Sequence, residues 1–346
     1  MARVLRQVTV VRDGQHNAFT DLQYWQDCYW VSYRKGAGHV SLDGEAVISV
    51  SVDRTRFREV AHLKVPGDNR DPKLVPMGPD RMAAIFPTWV GGVKHRHLQQ
   101  YVTFTNDGFN WETPIQILEP HWWLWRVVAH EGRYYGAAYS YRNRAGEDRK
   151  HYSEFVVSDD MINWERISQI GTDEQRLGEA AVHFRPDSEV WVISRSSDQS
   201  QPSYFCSAKP PYKEWHTNSL DTMIHSPISL EHEGALYVAG RRSAAVEGDD
   251  TFPFLDPFSL GVWRVEVDDS GIGRVIPALR IPASGDCSYP GLIKDPEGRI
   301  CMSYYSQHAY HMGVVAPPFR LEPDAPHDKG QLVQPDDVYF AEIELP

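Results

Sequence analysis

A hairpin recurs about every fifty residues along this 346-residue chain. Each copy is a strand, a tight turn with an acidic residue or Gly, and a second strand rich in aromatics. The copies run Phe19-Thr20-Asp21-Leu22 to Ser32-Tyr33-Arg34, Asp71-Pro72-Lys73-Leu74 to Ile85-Phe86, and Trp125-Arg126-Val127 to Ala138-Tyr139. The other three run Glu179-Ala180-Ala181-Val182 to Ile193-Ser194-Arg195, Ser226-Pro227-Ile228 to Ala239-Gly240-Arg241, and Tyr289-Pro290-Gly291-Leu292 to Ser303-Tyr304-Tyr305. A hairpin repeat of this length predicts an all-β, six-bladed β-propeller with four-stranded antiparallel blades. Six such units nearly exhaust residues 1–346, so one domain is expected. In a propeller every blade sends the start of its innermost strand to the central funnel, which is where chemistry is to be sought.

Between these hairpins lie outer turns with their own signature. Thr105-Asn106-Asp107-Gly108-Phe109-Asn110-Trp111 and Ser158-Asp159-Asp160-Met161-Ile162-Asn163-Trp164 are the clearest copies. Ser51 to Phe57 is a degenerate copy, and Ser207 to Trp215 a stretched one with Pro210-Pro211 inside. Their Ser, Thr and Asp side chains can bond backbone N–H groups and hold the turn. Alternating strands near Val4–Val11 and Val338–Leu345 lie outside the six units. Both are expected to join the last blade and close the ring, which removes exposed sheet edges. The Pro-, Gly- and Asp-rich segments 244–258 and 315–334 read as loops, and no helix of any length is convincing.

The formal net charge of −12 argues against nucleic acid, whose phosphates need a basic face. It leaves room for an anionic small substrate read by a few convergent arginines. Cys28, Cys206, Cys287 and Cys301 form no CxxC pair and read as free thiols. No phosphate loop or convincing metal cluster stands out, so no cofactor and no metal are expected; His95-Arg96-His97 reads as a solvated loop. Met1 to Asp13 carries no signal-peptide pattern and no apolar run is long enough to span a bilayer. A cytoplasmic monomer with no membrane partner is the default expectation.

The fourth unit opens with Glu179 and its partner strand ends with Arg195, so the hairpin should bring the two together at one rim. Tyr289 opens the sixth unit at the equivalent funnel position, and Arg241 ends the fifth. Here the chain resembles the sialidases, and the outer turns resemble the Asp boxes of that family. The resemblance implies a tyrosine nucleophile activated by a glutamate, with arginines holding a substrate carboxylate. Glu179, Arg195, Arg241 and Tyr289 match these parts. The first arginine of the family's Arg-Ile-Pro motif is missing, because Ala18-Phe19-Thr20 stands there; Tyr304-Tyr305 replaces the glutamate that would support it. The chain is also similar, end to end, to a widespread group of bacterial proteins labelled sialidase-like, through Asn17 to Leu22, Arg70 to Leu74 and Ser288 to Leu292.

Other residues can fill the gap. Arg70-Asp71-Pro72 puts a carboxylate at a funnel position, and the same tripeptide recurs in other sugar-cleaving propellers. Trp125-Arg126 offers a stacking face and a cation, and Arg34 ends the first hairpin near His39. The catalytic candidates are therefore Tyr289, Glu179, Asp71 and His39. The substrate-binding candidates are Arg34, Arg70, Arg126, Arg195, Arg241, Trp125, Tyr305 and His308. Plainer roles stay open: Glu179–Arg195 as a rim ion pair, Asp71 as a brace for Arg70 or Arg126, His39 as a solvated loop residue. The expected activity is that of a sialidase-like glycoside hydrolase, exo-acting and retaining on an acidic sugar, with a carbohydrate as partner. A uronate lyase using Tyr289, His39 and Arg126, or a non-catalytic glycan-binding propeller, are the alternatives.

Overall fold

The computed structural model describes residues 2–91, 97–140, 152–198, 201–243, 258–313, 320–321, 332–333 and 335–346. His95, Arg96 and most of the two Pro- and Gly-rich segments lie outside the described residues.

Six antiparallel sheets follow one another around an axis. Blade 1 holds His16–Trp25, Cys28–Gly36, Glu45–Ser51 and Arg58–Leu63 in that order. Blades 3, 4 and 5 repeat the pattern, opening with Trp122–His130, Leu177–Phe184 and His225–His232. In blade 2 the innermost strand is interrupted: Asp68–Asn69 and Lys73–Pro76 both pair with Met82–Val90, with Arg70-Asp71-Pro72 between them. Blade 6 runs Ser288–Lys294, Ile300–Ser306, Asp337–Glu344 and Arg3–Val11 from the inside out. Its outermost strand comes from the N-terminal end of the sequence and pairs with the C-terminal strand, Val8 opposite Phe340. Outside the blades, Arg320–Leu321 pairs with Leu332–Val333.

The alternation of the strands buries both faces of each blade. One apolar cluster lies between every adjacent pair. Trp30 and Ile48 of blade 1 meet Leu74 and Phe86 of blade 2, and Val31 and Tyr33 meet Cys301 and Phe340 of blade 6. Removing this apolar area from water on both faces is the main force holding the ring. The four cysteines are free thiols, so no crosslink contributes.

The outer turns close as their side chains predict. In Thr105 to Trp111, the Asp107 carboxylate accepts from the Phe109 and Asn110 N–H groups, and the Gly108 N–H donates to Thr105 Oγ1. Ser158 and Asp160 repeat these bonds, as do Ser51 and Asp53. Such turns end the third strand of blades 1 to 3, on the rim opposite the innermost-strand starts. The stretched copy differs: the Trp215 indole donates to Ser168 Oγ of the neighbouring blade.

Candidate functional site

One local device builds the site six times. Near its start each innermost strand carries a β-bulge or, in blade 2, a break. Two residues of the inner strand then face one on its partner. Phe19-Thr20 are unpaired between Ala18 and Asp21, and Trp125-Arg126 between Leu124 and Val127. Gly178-Glu179, Ser226-Pro227 and Tyr289-Pro290 occupy the same place in blades 4, 5 and 6. A bulge twists a strand and re-aims its side chains. Four of the leading residues sit in the left-handed region: Phe19 (φ 61°), Asp71 (φ 43°), Ser226 (φ 52°) and Tyr289 (φ 45°). Residues other than glycine hold that conformation at a cost of about 1–3 kcal/mol, and such strain concentrates at functional sites. The register also shifts one expectation. Tyr289 leads its bulge whereas Glu179 takes the second place in its own, so the two are offset by one residue and not equivalent.

The bulges are stitched to one another. The Tyr289 hydroxyl donates to Glu179 Oε1 at 2.7 Å. Arg195 Nη1 donates to the same oxygen at 2.9 Å, and the Ser226 N–H donates to Glu179 Oε2 at 2.8 Å. The Tyr289 N–H donates to Ser226 Oγ, and its carbonyl accepts from Thr20 Oγ1 at 2.7 Å. Blades 1, 4, 5 and 6 thus fix the tyrosine between them. Its ring stands edge-on to Phe19 and Trp125, at 4.9 and 5.3 Å between centroids.

Electrostatics sharpen this arrangement. Burial, with Glu179 and Asp71 adding to it, raises the Tyr289 pKa well above 10, so the phenol is held neutral. Asp71 is buried and its Oδ1 has no hydrogen-bond partner. Burial pushes its pKa up to about 7 against the pull of Lys73 and Arg70. Arg241 lies over the Tyr289 ring, 5.9 Å from the centroid, and its Nε has no partner. Arg195 and Arg241 flank His225, whose pKa burial and these cations push down to about 2.

Three expected substrate contacts are turned to the scaffold. Arg126 is turned into the axial channel below the tyrosine. Its guanidinium donates to Asp21 Oδ1 at 2.7 Å, to the Pro227 carbonyl at 3.1 Å and to the Pro290 carbonyl at 2.5 Å. Arg34 is wholly buried and pins the following loop, donating to Asp68 Oδ1, the Gly38 carbonyl and the Ser41 carbonyl. Trp125 is 1% exposed, so it walls the tyrosine and offers no open stacking face. The donors of Arg126 and Arg34 are committed to protein partners, and the Trp125 ring is packed while its indole N–H has no partner among the described residues. Arg70 is also a brace: Nη1 donates to the His39 carbonyl at 2.7 Å and to Asp68 Oδ2 at 3.0 Å, while the guanidinium covers the Phe19 ring at 4.6 Å. His308 starts a one-turn helix and packs on Tyr339, 4.6 Å between rings.

A second cluster adjoins the first. The Tyr305 hydroxyl donates to Asp286 Oδ1 at 2.8 Å. Asp286 Oδ2 contacts His39 Nδ1 and lies 3.0 Å from His16 Nε2. His16 Nε2 is also 2.9 Å from Asp336 Oδ2, and the two carboxylates push the buried imidazole up to about 9. Sequence reasoning passed over His16, Asp286, Asp336 and Lys73. Lys73 is 2% exposed, donates to the Thr20 carbonyl at 3.0 Å, and is pushed down to about 8 by burial and Arg126. A lysine in a strand reads as surface, and Asp286 sits in a loop with no local pattern. The only available signal for Lys73 was its place beside Arg70-Asp71-Pro72.

Comparison with known proteins supports the architecture. No family model matches the chain, and no curated protein matches it. Among solved structures, a protein of unknown function from Dyadobacter fermentans DSM 18053 aligns with TM-score 0.77 at 14% identity, covering 100% of this chain and 99% of that one. The phage phi92 endosialidase aligns with TM-score 0.67 at 9% identity over 99% of this chain and 69% of its own. The Penicillium chrysogenum alpha-L-arabinanase complexed with arabinobiose aligns with TM-score 0.61 at 12% identity over 87% and 94%. At these identities the likeness is one of fold: the chain is a six-bladed β-propeller of the kind found in sialidases and related glycosidases. Among the described residues no helix is long and apolar enough to cross a membrane.

Proposed function

We propose that the protein is a sialidase-like glycoside hydrolase acting with retention on an acidic sugar. The observation that carries this reading is the 2.7 Å hydrogen bond from the Tyr289 hydroxyl to Glu179, made by a tyrosine in a strained bulge. A phenol held neutral is a poor nucleophile until a base takes its proton. Glu179 stands ready to take it. The propeller structures of sialidases and an arabinanase, and the Ser/Thr–Asp turns of blades 1 to 3, lend further support.

In the first step Tyr289 Oη bonds to the anomeric carbon as its proton passes to Glu179. The glycosidic C–O bond breaks, and Asp71, protonated by virtue of its raised pKa, gives its proton to the departing oxygen. In the second step water attacks the tyrosyl glycoside and yields its proton to Asp71. Glu179 then returns the first proton to Tyr289 Oη. Asp71 suits the acid role better than His39, whose Nδ1 is taken up by Asp286 and whose Nε2 lies 3.4 Å from an Arg70 nitrogen. Arg195 and Arg241 supply positive charge beside the tyrosine for a substrate carboxylate. A neutral nucleophile avoids the repulsion that a carboxylate nucleophile would meet from such a sugar.

The test is a screen of aryl sialosides and uronosides with wild type beside Tyr289→Phe. Turnover should fall by about 10³-fold or more in the variant, and a 2-deoxy-2-fluoro or 3-fluoro glycosyl fluoride should label Tyr289. Wild-type turnover in the Phe variant would end the nucleophile reading. A product absorbing in the near ultraviolet through a new C=C bond would replace hydrolysis with elimination.

A further inference from the structure

We propose that His16, His39, Asp286 and Asp336 form a binding site for a first-row divalent cation such as Zn²⁺, beside the Tyr289–Glu179 cluster. The proposal does not depend on the reaction assigned to that cluster.

The donor atoms converge. His16 Nε2, His39 Nδ1 and one carboxylate oxygen of Asp286 all lie within 4.8 Å of one another. His16 Nε2 is 3.0 Å from Asp286 Oδ2 and 2.9 Å from Asp336 Oδ2. Around a zinc-sized ion with bonds of about 2.0–2.1 Å, neighbouring donors lie roughly 2.9–3.4 Å apart. The two carboxylate distances to His16 already fall in this range, and His39 would close in from within 4.8 Å. Two imidazoles with two carboxylates are a donor set suited to Zn²⁺ and its neighbours, and too rich in nitrogen for Ca²⁺ or Mg²⁺.

Asp336 supplies an independent observation. It is fully buried, and neither of its oxygens accepts a hydrogen bond among the described residues, although Oδ2 lies close to His16. His16 Nε2 can carry only one N–H, yet it stands between two carboxylates, 3.0 Å from Asp286 Oδ2 and 2.9 Å from Asp336 Oδ2. A buried carboxylate that must share one N–H with a second carboxylate is costly, and a cation between His16 and the two carboxylates would neutralise both.

The supporting contacts are those of a built site. His16 forms a bridge with Asp336, the Asn17 N–H donates to the Asp336 carbonyl, and the Asp336 N–H donates to the Gln15 carbonyl. Asp286 is oriented by the Tyr305 hydroxyl on Oδ1 and by its own N–H donating to Gln307 Oε1. His39 is held through its carbonyl by Arg70. Outer contacts of this kind orient metal ligands. Exposure rises from Asp336 and His16, which are buried, to the His39 side chain at 48%, so an ion can enter from the His39 side. An ion here would lock the loop bearing His39 to the segment three residues before Tyr289. The Phe19 ring stands edge-on to both His39 and Tyr289, at 5.3 and 4.9 Å.

The experiment is titration of the chelator-treated full chain with Zn²⁺ by calorimetry and with Co²⁺ by visible absorption. One equivalent of Zn²⁺ should bind, and Co²⁺ should show ligand-field bands. His39→Ala and Asp286→Asn should each weaken binding by more than about tenfold, with far-ultraviolet circular dichroism unchanged. His39 lies on an exposed loop, so its variant decides the matter even if Asp286→Asn fails to fold. No uptake by wild type, or uptake equally tight in His39→Ala, would overturn the proposal.

Discussion

Replacing Glu179 with Gln keeps the shape of the side chain and removes its charge. In the folded protein this carboxylate accepts three donors: the Tyr289 hydroxyl, Arg195 Nη1 and the Ser226 N–H. A glutamine oxygen can still serve the first two, but the Tyr289 bond to a charged acceptor, worth about 1.5–3 kcal/mol, becomes a neutral one worth about 0.5–1.5 kcal/mol, and Arg195 keeps its hydrogen bond while losing its counter-charge. The amide NH₂ then faces the Ser226 N–H, donor against donor, and leaves a buried group unpaired at about 1–3 kcal/mol. The Arg195 side chain is 18% exposed, so water recovers part of the loss. The expected destabilisation is about 2–4 kcal/mol by urea unfolding. Catalysis should suffer separately, because the phenol loses its base. A general base contributes about 10²–10⁴-fold, or about 3–5 kcal/mol of barrier. The assay is kcat/KM on the aryl glycoside that wild type turns over best, read beside the urea midpoint. A Gln variant within a factor of about three of wild type in rate would refute the base, and an unchanged midpoint would refute the three-donor network.

Asp71 must be protonated to act as an acid, and its pKa of about 7 places the loss of activity at rising pH near neutrality. Asp71→Asn should abolish that limb of the rate profile. The same shift has a stability sign: the folded state holds its proton where the unfolded chain, titrating near about 4, has lost it. Stability should therefore fall as pH rises from about 4 to about 7, and less steeply in Asp71→Asn, by urea midpoints across that range. Arg126→Met should cost about 3–5 kcal/mol of unfolding free energy, because it leaves Asp21 buried without its cation; a midpoint near wild type would return Arg126 to the substrate. Gly291→Ala should destabilise by about 1–3 kcal/mol or more, since its Cβ would stand 2.2 Å from the Leu22 backbone nitrogen, where the last blade meets the first.

The architecture was legible because it is local and periodic. Hairpin strands, turn residues and their recurrence mark a blade, and six blades imply a ring. The pairing of the N-terminal strand with the C-terminal one followed from two alternating strands left without a partner in the six units. The outer turns were equally readable, since Ser, Thr and Asp close them on backbone N–H groups a few residues away. Glu179, Arg195, Arg241, Asp71 and Tyr289 stood out as candidates because each starts or ends an inner hairpin strand. The structure brings them to one rim, with Tyr289 and Arg195 on the same Glu179 oxygen.

Direction was not legible. Arg34, Arg70 and Arg126 stand at funnel positions like Arg195 does, yet they are braces that hold loops and carbonyls. An arginine at a strand end carries the same letter whether it faces open space or a buried carbonyl. Only the bulge register and the neighbouring blades decide which. The same holds for His16, Asp286 and Asp336, drawn from residues near both ends of the chain to one junction.

Strand order and ring closure are written in the chain because hydrophobic alternation and turn chemistry act between residues close in sequence. Which polar side chain is spent on the scaffold and which is left to work is decided by contacts between blades. Those contacts join residues more than a hundred positions apart, as Tyr289 is from Glu179 and Arg126 from Asp21. No local pattern encodes them, because the energy that sets them is that of burying charge beside a partner supplied by another part of the fold.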